Sequence, residues 1–196
     1  MPTLTVIENL SLDGVMQAPG RPDEDERDGF AHGGWAIPYN DEVLGRKMGE
    51  HMARPGALLF GRRTYEDFAG FWPRQADNPF TPVLEARTKY VVSSTLAEPL
   101  PWANSTLLRG DAAQAVAGLK ERTDEDLVVL GSGQLVRTLA AEDLVDEYLL
   151  LVHPLVLGSG RRLFPDGGPR QDLRLVDSVT TTTGVTVATF APASLA

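Results

Sequence analysis

Two short runs without a polar side chain, residues 57–60 and Leu127–Leu130, each end at a glycine and lead into a segment with helical spacing. A strand made only of apolar residues has to be covered on both faces, and a parallel sheet flanked by helices does this. The chain is therefore read as strand–turn–helix units around a central sheet.

The rest of the pattern agrees. Residues 3–10 alternate, are rich in β-branched side chains and run into Leu12-Asp13-Gly14, as a strand entering a turn does. Asn40 or Asp41 is placed to cap a helix with Leu44, Met48 and Met52 on one face, stopped by Pro55-Gly56. Thr64 followed by Asp67 has the form of a capping box, which makes residues 61–64 the turn into a short helix. Residues 90–93 and Ser105–Leu108 read as strands, and Asp111 caps a helix carrying Ala112, Ala115, Val116 and Leu119. Leu135, Val136, Leu139 and Ala140 mark the helix after Gly131-Ser132-Gly133. Beyond Asp143 the helical spacing stops, and residues 147–152, 173–179 and 185–190 read as strands. The expectation is one α/β domain over residues 1–196, with a mostly parallel central sheet and antiparallel strands at an edge. Residues 15–39 are rich in Pro and Gly and hold Phe30, His32, Trp35 and Tyr39; so long a connection is read as a lid.

Composition excludes several chemistries. The 196 residues include no cysteine, so there is no disulfide framework, thiolate metal site or cysteine nucleophile, and a cytoplasmic address is expected. A net charge of −9 without a basic stripe argues against a nucleic-acid partner, and no run is long and apolar enough for a membrane span. The acidic run Asp23, Glu24, Asp25, Glu26 and Asp28 reads as a solvated loop, with a protein-binding role for residues 20–29 as the other reading. His32, His51 and His153 are scattered and no pair has the spacing of two ligands on one helix face, so no metal is expected. Neither a Gly-x-Ser-x-Gly elbow nor a P-loop is present.

What remains is anion binding at the ends of strands. Gly131 and Gly133 allow close approach of a ligand to the backbone, and the amides of the following helix point at it with partial positive charge. Val136 stands where a dinucleotide fingerprint needs a third glycine, so a standard Rossmann domain is not expected. Arg62 and Arg63 open a helix just after a strand, a notable placement in so acidic a chain. Ser93 and Ser94 end the next strand and Arg109 the one after, again at carboxyl ends, where open α/β sheets bind ligands. Together they suit a phosphorylated dinucleotide, with arginines and serines on one phosphate and the 131–133 amides on the pyrophosphate. The structural alternatives are ion pairs from the arginines to Glu66 or Asp67, and a turn that merely needs glycine.

Taken in order, Ser11-Leu12-Asp13-Gly14, Gly61-Arg62-Arg63-Thr64-Tyr65-Glu66, Val91-Val92-Ser93-Ser94, Val129-Leu130-Gly131-Ser132-Gly133 and residues 160–164 resemble the dihydrofolate reductase superfamily. The resemblance is strongest to stand-alone relatives of the reductase domain of riboflavin-biosynthesis deaminase-reductases. It implies a three-layer fold with a sheet of about eight strands, within the ordinary size range of open sheets. It also implies a homodimer, NADPH as cofactor, and hydride transfer to a C=N or C=O bond of a pterin-like or ribosylaminopyrimidine-like substrate. By this resemblance Gly61, Arg62, Arg63 and Thr64, with Ser93, Ser94 and Thr95, hold the 2′-phosphate end, where Arg109 also gathers. Gly131, Ser132, Gly133, Gln134 and Leu135 lie on the pyrophosphate and nicotinamide side.

One departure concerns the substrate site. Matching the family's Trp-x-x-Pro to Trp35-Ala36-Ile37-Pro38 puts Asn40 where dihydrofolate reductases carry a carboxylate, with Asp41 and Glu42 just behind. An amide does not tune a proton as a carboxylate does. The catalytic candidates are therefore Asp13 and Asp41, whose structural readings are a turn former and a helix cap. Asp13, Trp35, Asn40, Tyr65 and Trp72 are the substrate-binding candidates, the three aromatics either stacking on a planar heterocycle or packing the core. The rival reading is a non-catalytic protein that binds a nucleotide or heterocycle in the same crevice.

Overall fold

A computed structural model describes residues 1–193. Its helices are α1 (Glu42–Ala53), α2 (Arg62–Phe71), α3 (Thr81–Ala86), α4 (Ala112–Arg122) and α5 (Gly133–Ala141). Its strands are β1 (Leu4–Ser11), β2 (Ala57–Gly61), β3 (Lys89–Val92), β4 (Ser105–Leu108), β5 (Leu127–Leu130), β6 (Glu147–His153), β7 (Leu173–Thr180) and β8 (Thr186–Pro192). The eight strands form one sheet in the order β4-β3-β2-β5-β1-β6-β8-β7. β2 pairs in parallel with both β3 and β5, and β3 with β4, whereas β8 is antiparallel to β6 and to β7. The expected α/β class, parallel with antiparallel edge strands, is what the chain adopts.

Two compact units share the described residues, 1–5 with 52–145 and 6–51 with 146–193. The first carries the parallel strands β4-β3-β2-β5. Its core gathers Leu58, Phe60, Tyr65, Val91 and Trp102, and Ala57, Leu58, Leu59 and Phe60 are all fully buried, as their unbroken apolar run requires. Lys89 is the exception, an ammonium with no exposed surface. It donates to the carbonyls of Glu85, Arg87 and Ala103 and lies 4.5 Å from the centre of the Trp102 ring, which together replace its lost hydration.

The second unit holds β6, β8 and β7 and most of β1. Residues 15–39 form neither strand nor α-helix, only the short 3₁₀ turns Arg27–Gly29 and Ile37–Tyr39. They nevertheless pack: Val15, Ala18, Phe30, Trp35 and Ala36 make an apolar cluster, and the Trp35 indole donates to the Gln17 carbonyl at 2.7 Å. The Gln17 amide in turn donates to the carbonyls of Asp25 and Arg27 and accepts from the Arg161 N–H, satisfying a buried polar group on every side. The acidic run is largely occupied in the same way. Glu24 accepts from the N–H groups of Gly20 and Arg21, Asp25 pairs with Arg27, and Asp28 pairs with Arg161.

Two local readings differ from expectation. Helix α2 begins at Arg62 with Gly61 as its N-cap and without a side-chain cap, so Thr64 lies inside the first turn and makes no capping box. The start is fixed from elsewhere, because Ser132 accepts the Gly61 N–H. Helix α3 was missed: its six residues are too few for a helical period to show.

Candidate active site

Within the first unit, the turns after β2 and β5 meet. Ser132 Oγ accepts the Gly61 N–H at 3.0 Å, and a side chain at Gly131 would come within 3.3 Å of Thr64 Cγ2. Gly131 (φ +65°) and Ser132 (φ 63°, ψ 43°) are consecutive left-handed residues. Serine pays for that conformation, and strain of this kind gathers where a turn must aim backbone amides. Neither α2 nor α5 has a side-chain cap at its N-terminus, so the first amides of both helices stay open to an anion.

The expected cofactor residues take distinct places around these turns. Arg62 is paired to Glu66 at 2.9 Å one helical turn on, as its structural reading anticipated. Arg63 is exposed and has no ion pair among the described residues, so its guanidinium stays available. Ser93 is buried and its hydroxyl accepts the N–H groups of Thr95 and Leu96, shaping the turn that exposes Ser94 and Thr95. Arg109 lies at the surface, 3.8 Å from Glu98. Leu135 is buried, while Gln134 is exposed.

Two of the aromatic candidates in this unit belong to its core. Tyr65 has no exposed surface: its hydroxyl contacts Ser105 Oγ at 3.1 Å and accepts the Trp102 N–H, and its ring packs between Phe60 and Trp102. Trp72 is half-buried against Phe68 and Phe71. Stacking on a heterocycle and packing are the two readings of both from sequence, and packing describes what their rings do.

In the second unit the two candidate carboxylates are held as structural struts. Asp13 accepts from Ser11 Oγ at 2.7 Å and from the N–H groups of Leu157 and Gly158, and the Ser11 hydroxyl is the main cause of a pKa lowered to about 2. Asp41 caps α1 through the Leu44 N–H and takes the N–H and hydroxyl of Thr182 and the N–H of Thr183. Its pKa is lowered, foremost by the Thr182 hydroxyl. Both stay ionised at neutral pH with their oxygens committed. Asn40 is exposed, and Trp35 is buried and tied to Gln17.

Two buried titratable groups lie outside the site candidates read from sequence. Glu8, on β1, is 3% exposed with Oε2 unpartnered among the described residues, and burial, reinforced by Glu24, raises its pKa well above the usual carboxylate range. His153, the last residue of β6, is fully buried, and burial lowers its pKa to about 4. The alternation of β1 was a signal for Glu8, since it places position 8 on the same face as Val6 and Leu10. His153 closes an apolar strand, the one hint that its ring is enclosed.

A family model of the RibD C-terminal domain matches residues 2–187. The chain belongs to that family. Two Bacillus subtilis (strain 168) proteins named as uncharacterized are similar to it. YyaP is 30% identical over 132 residues, 65% of this chain and 69% of YyaP; YwjB is 29% identical over 120 residues, 60% of this chain and 63% of YwjB. Among solved structures, a candidate riboflavin biosynthesis protein from Shewanella sp. PV-4 superposes with a TM-score of 0.75 at 22% identity, over 98% of this chain and 99% of that one. RibD of Acinetobacter baumannii gives 0.66 at 14% identity, this chain being covered to 99% and spanning 59% of RibD. Dihydrofolate reductase from Enterococcus faecalis, complexed with NADP(H) and RAB-propyl, gives 0.62 at 14% identity, over 98% and 97% of the two chains. This RibD C-terminal domain protein thus has a reductase-type, dihydrofolate reductase-like fold. Among the described residues no helix is long and apolar enough to cross a membrane, and no cluster of His, Asp and Glu is suited to a metal ion.

Proposed function

We propose that the protein is an NADPH-dependent reductase transferring hydride to a C=N or C=O bond of a small, pterin-like or ribosylaminopyrimidine-like heterocycle. The observation that carries this reading is the pair of uncapped helix N-termini, α2 and α5, drawn together by the bond from Gly61 to Ser132. A polyanion fits them: open amides supply hydrogen-bond donors, and the left-handed Gly131-Ser132 turn brings backbone close to a phosphate. Gly131, Ser132, Gly133, Gln134 and Leu135 would hold the pyrophosphate side. Arg63, Ser94 and Thr95 would hold the 2′-phosphate, with Arg62 and Arg109 adding positive charge beside their carboxylate partners. When bound, the cofactor supplies the hydride; the chain binds and orients it, so few catalytic side chains are needed. As in the resemblance noted above, the working form would be a cytoplasmic homodimer.

Titration of the purified protein with NADPH and with NADH, followed by tryptophan quenching and nicotinamide emission, tests this. Tight NADPH binding with much weaker NADH binding is expected. Binding of neither would sink the reductase reading. One observation favours a second reading, a non-catalytic heterocycle-binding protein: Asp13 and Asp41 are both ionised and spent on structural bonds. Such a protein binds NADPH yet never oxidises it with any imine or carbonyl acceptor.

A further inference from the structure

Resting on the reductase reading, the second unit adds a recognition element that the carboxylates do not provide. Asn9–His153, Leu12–Leu155 and Asp13–Leu157 are bonded pairs that advance together, so β1 and β6 run parallel and His153 stands at their carboxyl ends, where open sheets receive ligands. Asn9 Oδ1 lies 3.0 Å from His153 Nε2, which therefore carries the proton and leaves Nδ1 as a bare acceptor. That Nδ1 is buried and has no hydrogen-bond partner among the described residues, a costly condition in a folded protein.

The ring is framed edge to face by Trp35, 5.1 Å away between centres at 88°, and by Tyr39, 5.5 Å away at 75°. The two frames differ. Trp35 is buried and anchored through its indole N–H to Gln17, whereas Tyr39 is half-exposed and its main-chain carbonyl accepts from Thr183 Oγ1. Of the two rings, that of Tyr39 is the part-exposed one, and Trp35 is the buried aromatic wall.

We propose that His153 Nδ1 is a substrate-recognition atom, accepting a hydrogen bond from a ring N–H or amino group of a planar heterocycle that enters beside Trp35 when the Tyr39 ring swings out. Such a ligand satisfies the unpartnered nitrogen and replaces one aromatic contact by another, so the cost of displacing Tyr39 is offset. The residue then selects for nitrogen heterocycles bearing donors, and against those with acceptors only. Burial keeps the imidazole neutral at physiological pH, as an acceptor must be.

The probe is 2,4-diaminopyrimidine, with unsubstituted pyrimidine, which has no donor, as control. Each is titrated into the full-length protein with and without NADPH, while nitrogen NMR follows the His153 imidazole. The diamine is expected to shift the Nδ1 resonance and leave Nε2 nearly still; pyrimidine should do neither. His153→Phe keeps an aromatic ring in the box and should bind the diamine about three- to tenfold more weakly, the worth of one neutral hydrogen bond. Its NADPH affinity should be unchanged. Failure of the diamine to bind, an unmoved Nδ1 resonance on binding, or equal affinity of His153→Phe would each overturn the proposal. Loss of NADPH binding by the parent with the Nδ1 response intact would instead remove the reductase reading alone. Should His153→Phe not fold, the NMR response of the parent decides.

Discussion

The hydroxyl of Ser132 accepts the main-chain N–H of Gly61 at 3.0 Å, joining two turns 71 residues apart. Ser132 holds a left-handed conformation to make this bond. Removing the hydroxyl in Ser132→Ala costs the bond and keeps the backbone strain, whereas Ser132→Gly costs the bond and relieves the strain. The alanine variant should lose about 1 kcal/mol, or roughly 2–4 °C in Tm for a chain of this size. The glycine variant should lie between it and the parent. Thermal unfolding with the reverse order of the two variants would show that the bond is not what holds Ser132 in place.

Arg62 and Arg63 are neighbours with different tasks, one paired with Glu66 and the other exposed without an ion pair among the described residues. Arg63→Ala should therefore weaken NADPH binding more than Arg62→Ala does. The expected loss is roughly tenfold or more, as for a hydrogen bond to a charged group, with NADH binding little changed. Isothermal titration of both variants with both nucleotides checks this, and equal losses for NADPH and NADH would move the 2′-phosphate elsewhere.

Asp41 tethers α1 to Thr182 and Thr183, and it is ionised by those bonds. Asp41→Asn should lower the melting temperature while leaving nicotinamide cofactor affinity untouched. If the substitution abolishes turnover without changing stability, Asp41 is catalytic after all.

Stability should depend on pH through two buried groups acting in opposite senses. His153 has a folded pKa of about 4 against an ordinary 6.5, so the unfolded chain binds the proton first as pH falls. Its contribution is complete above about 6.5 and is lost between there and 4, up to roughly 3 kcal/mol. Glu8 has a raised pKa, so its contribution is present at low pH and lost as pH rises through the folded value. Chemical denaturation across pH should show His153→Phe flattening the acid limb and Glu8→Gln flattening the loss at higher pH. A parent profile unaffected by either change would mean that both groups titrate normally.

At the end of the sheet order, β7 exposes Leu175 and Val176, 56% and 47% accessible. For the proposed homodimer this edge is the obvious apolar surface. Leu175→Glu should shift sedimentation from dimer to monomer. A parent that is monomeric at micromolar concentration would remove the dimer altogether.

Strand positions were legible because burial on two faces leaves an unmistakable trace: Ala57–Gly61 and Leu127–Leu130 fall where apolar runs placed them. Asp111 was legible as a cap because its partner, the Gln114 N–H, is three residues away. Local chemistry of this kind is written in short windows. The start of α2 was misread for the opposite reason, since its anchor, Ser132, is remote in sequence.

The sequence by itself determined the α/β class, the antiparallel edge and the gathering of glycine, serine and arginine at strand ends, because periodicity and turn chemistry act over a few residues. Only the tertiary structure decided which groups are spent and which are free. Asp13 and Asp41 reach donors more than a hundred residues away, Tyr65 turns into the core, and Glu8 and His153 become buried and perturbed. A residue's charge and availability depend on its neighbours in space and on the water they exclude, and neither is encoded within reach of its own segment.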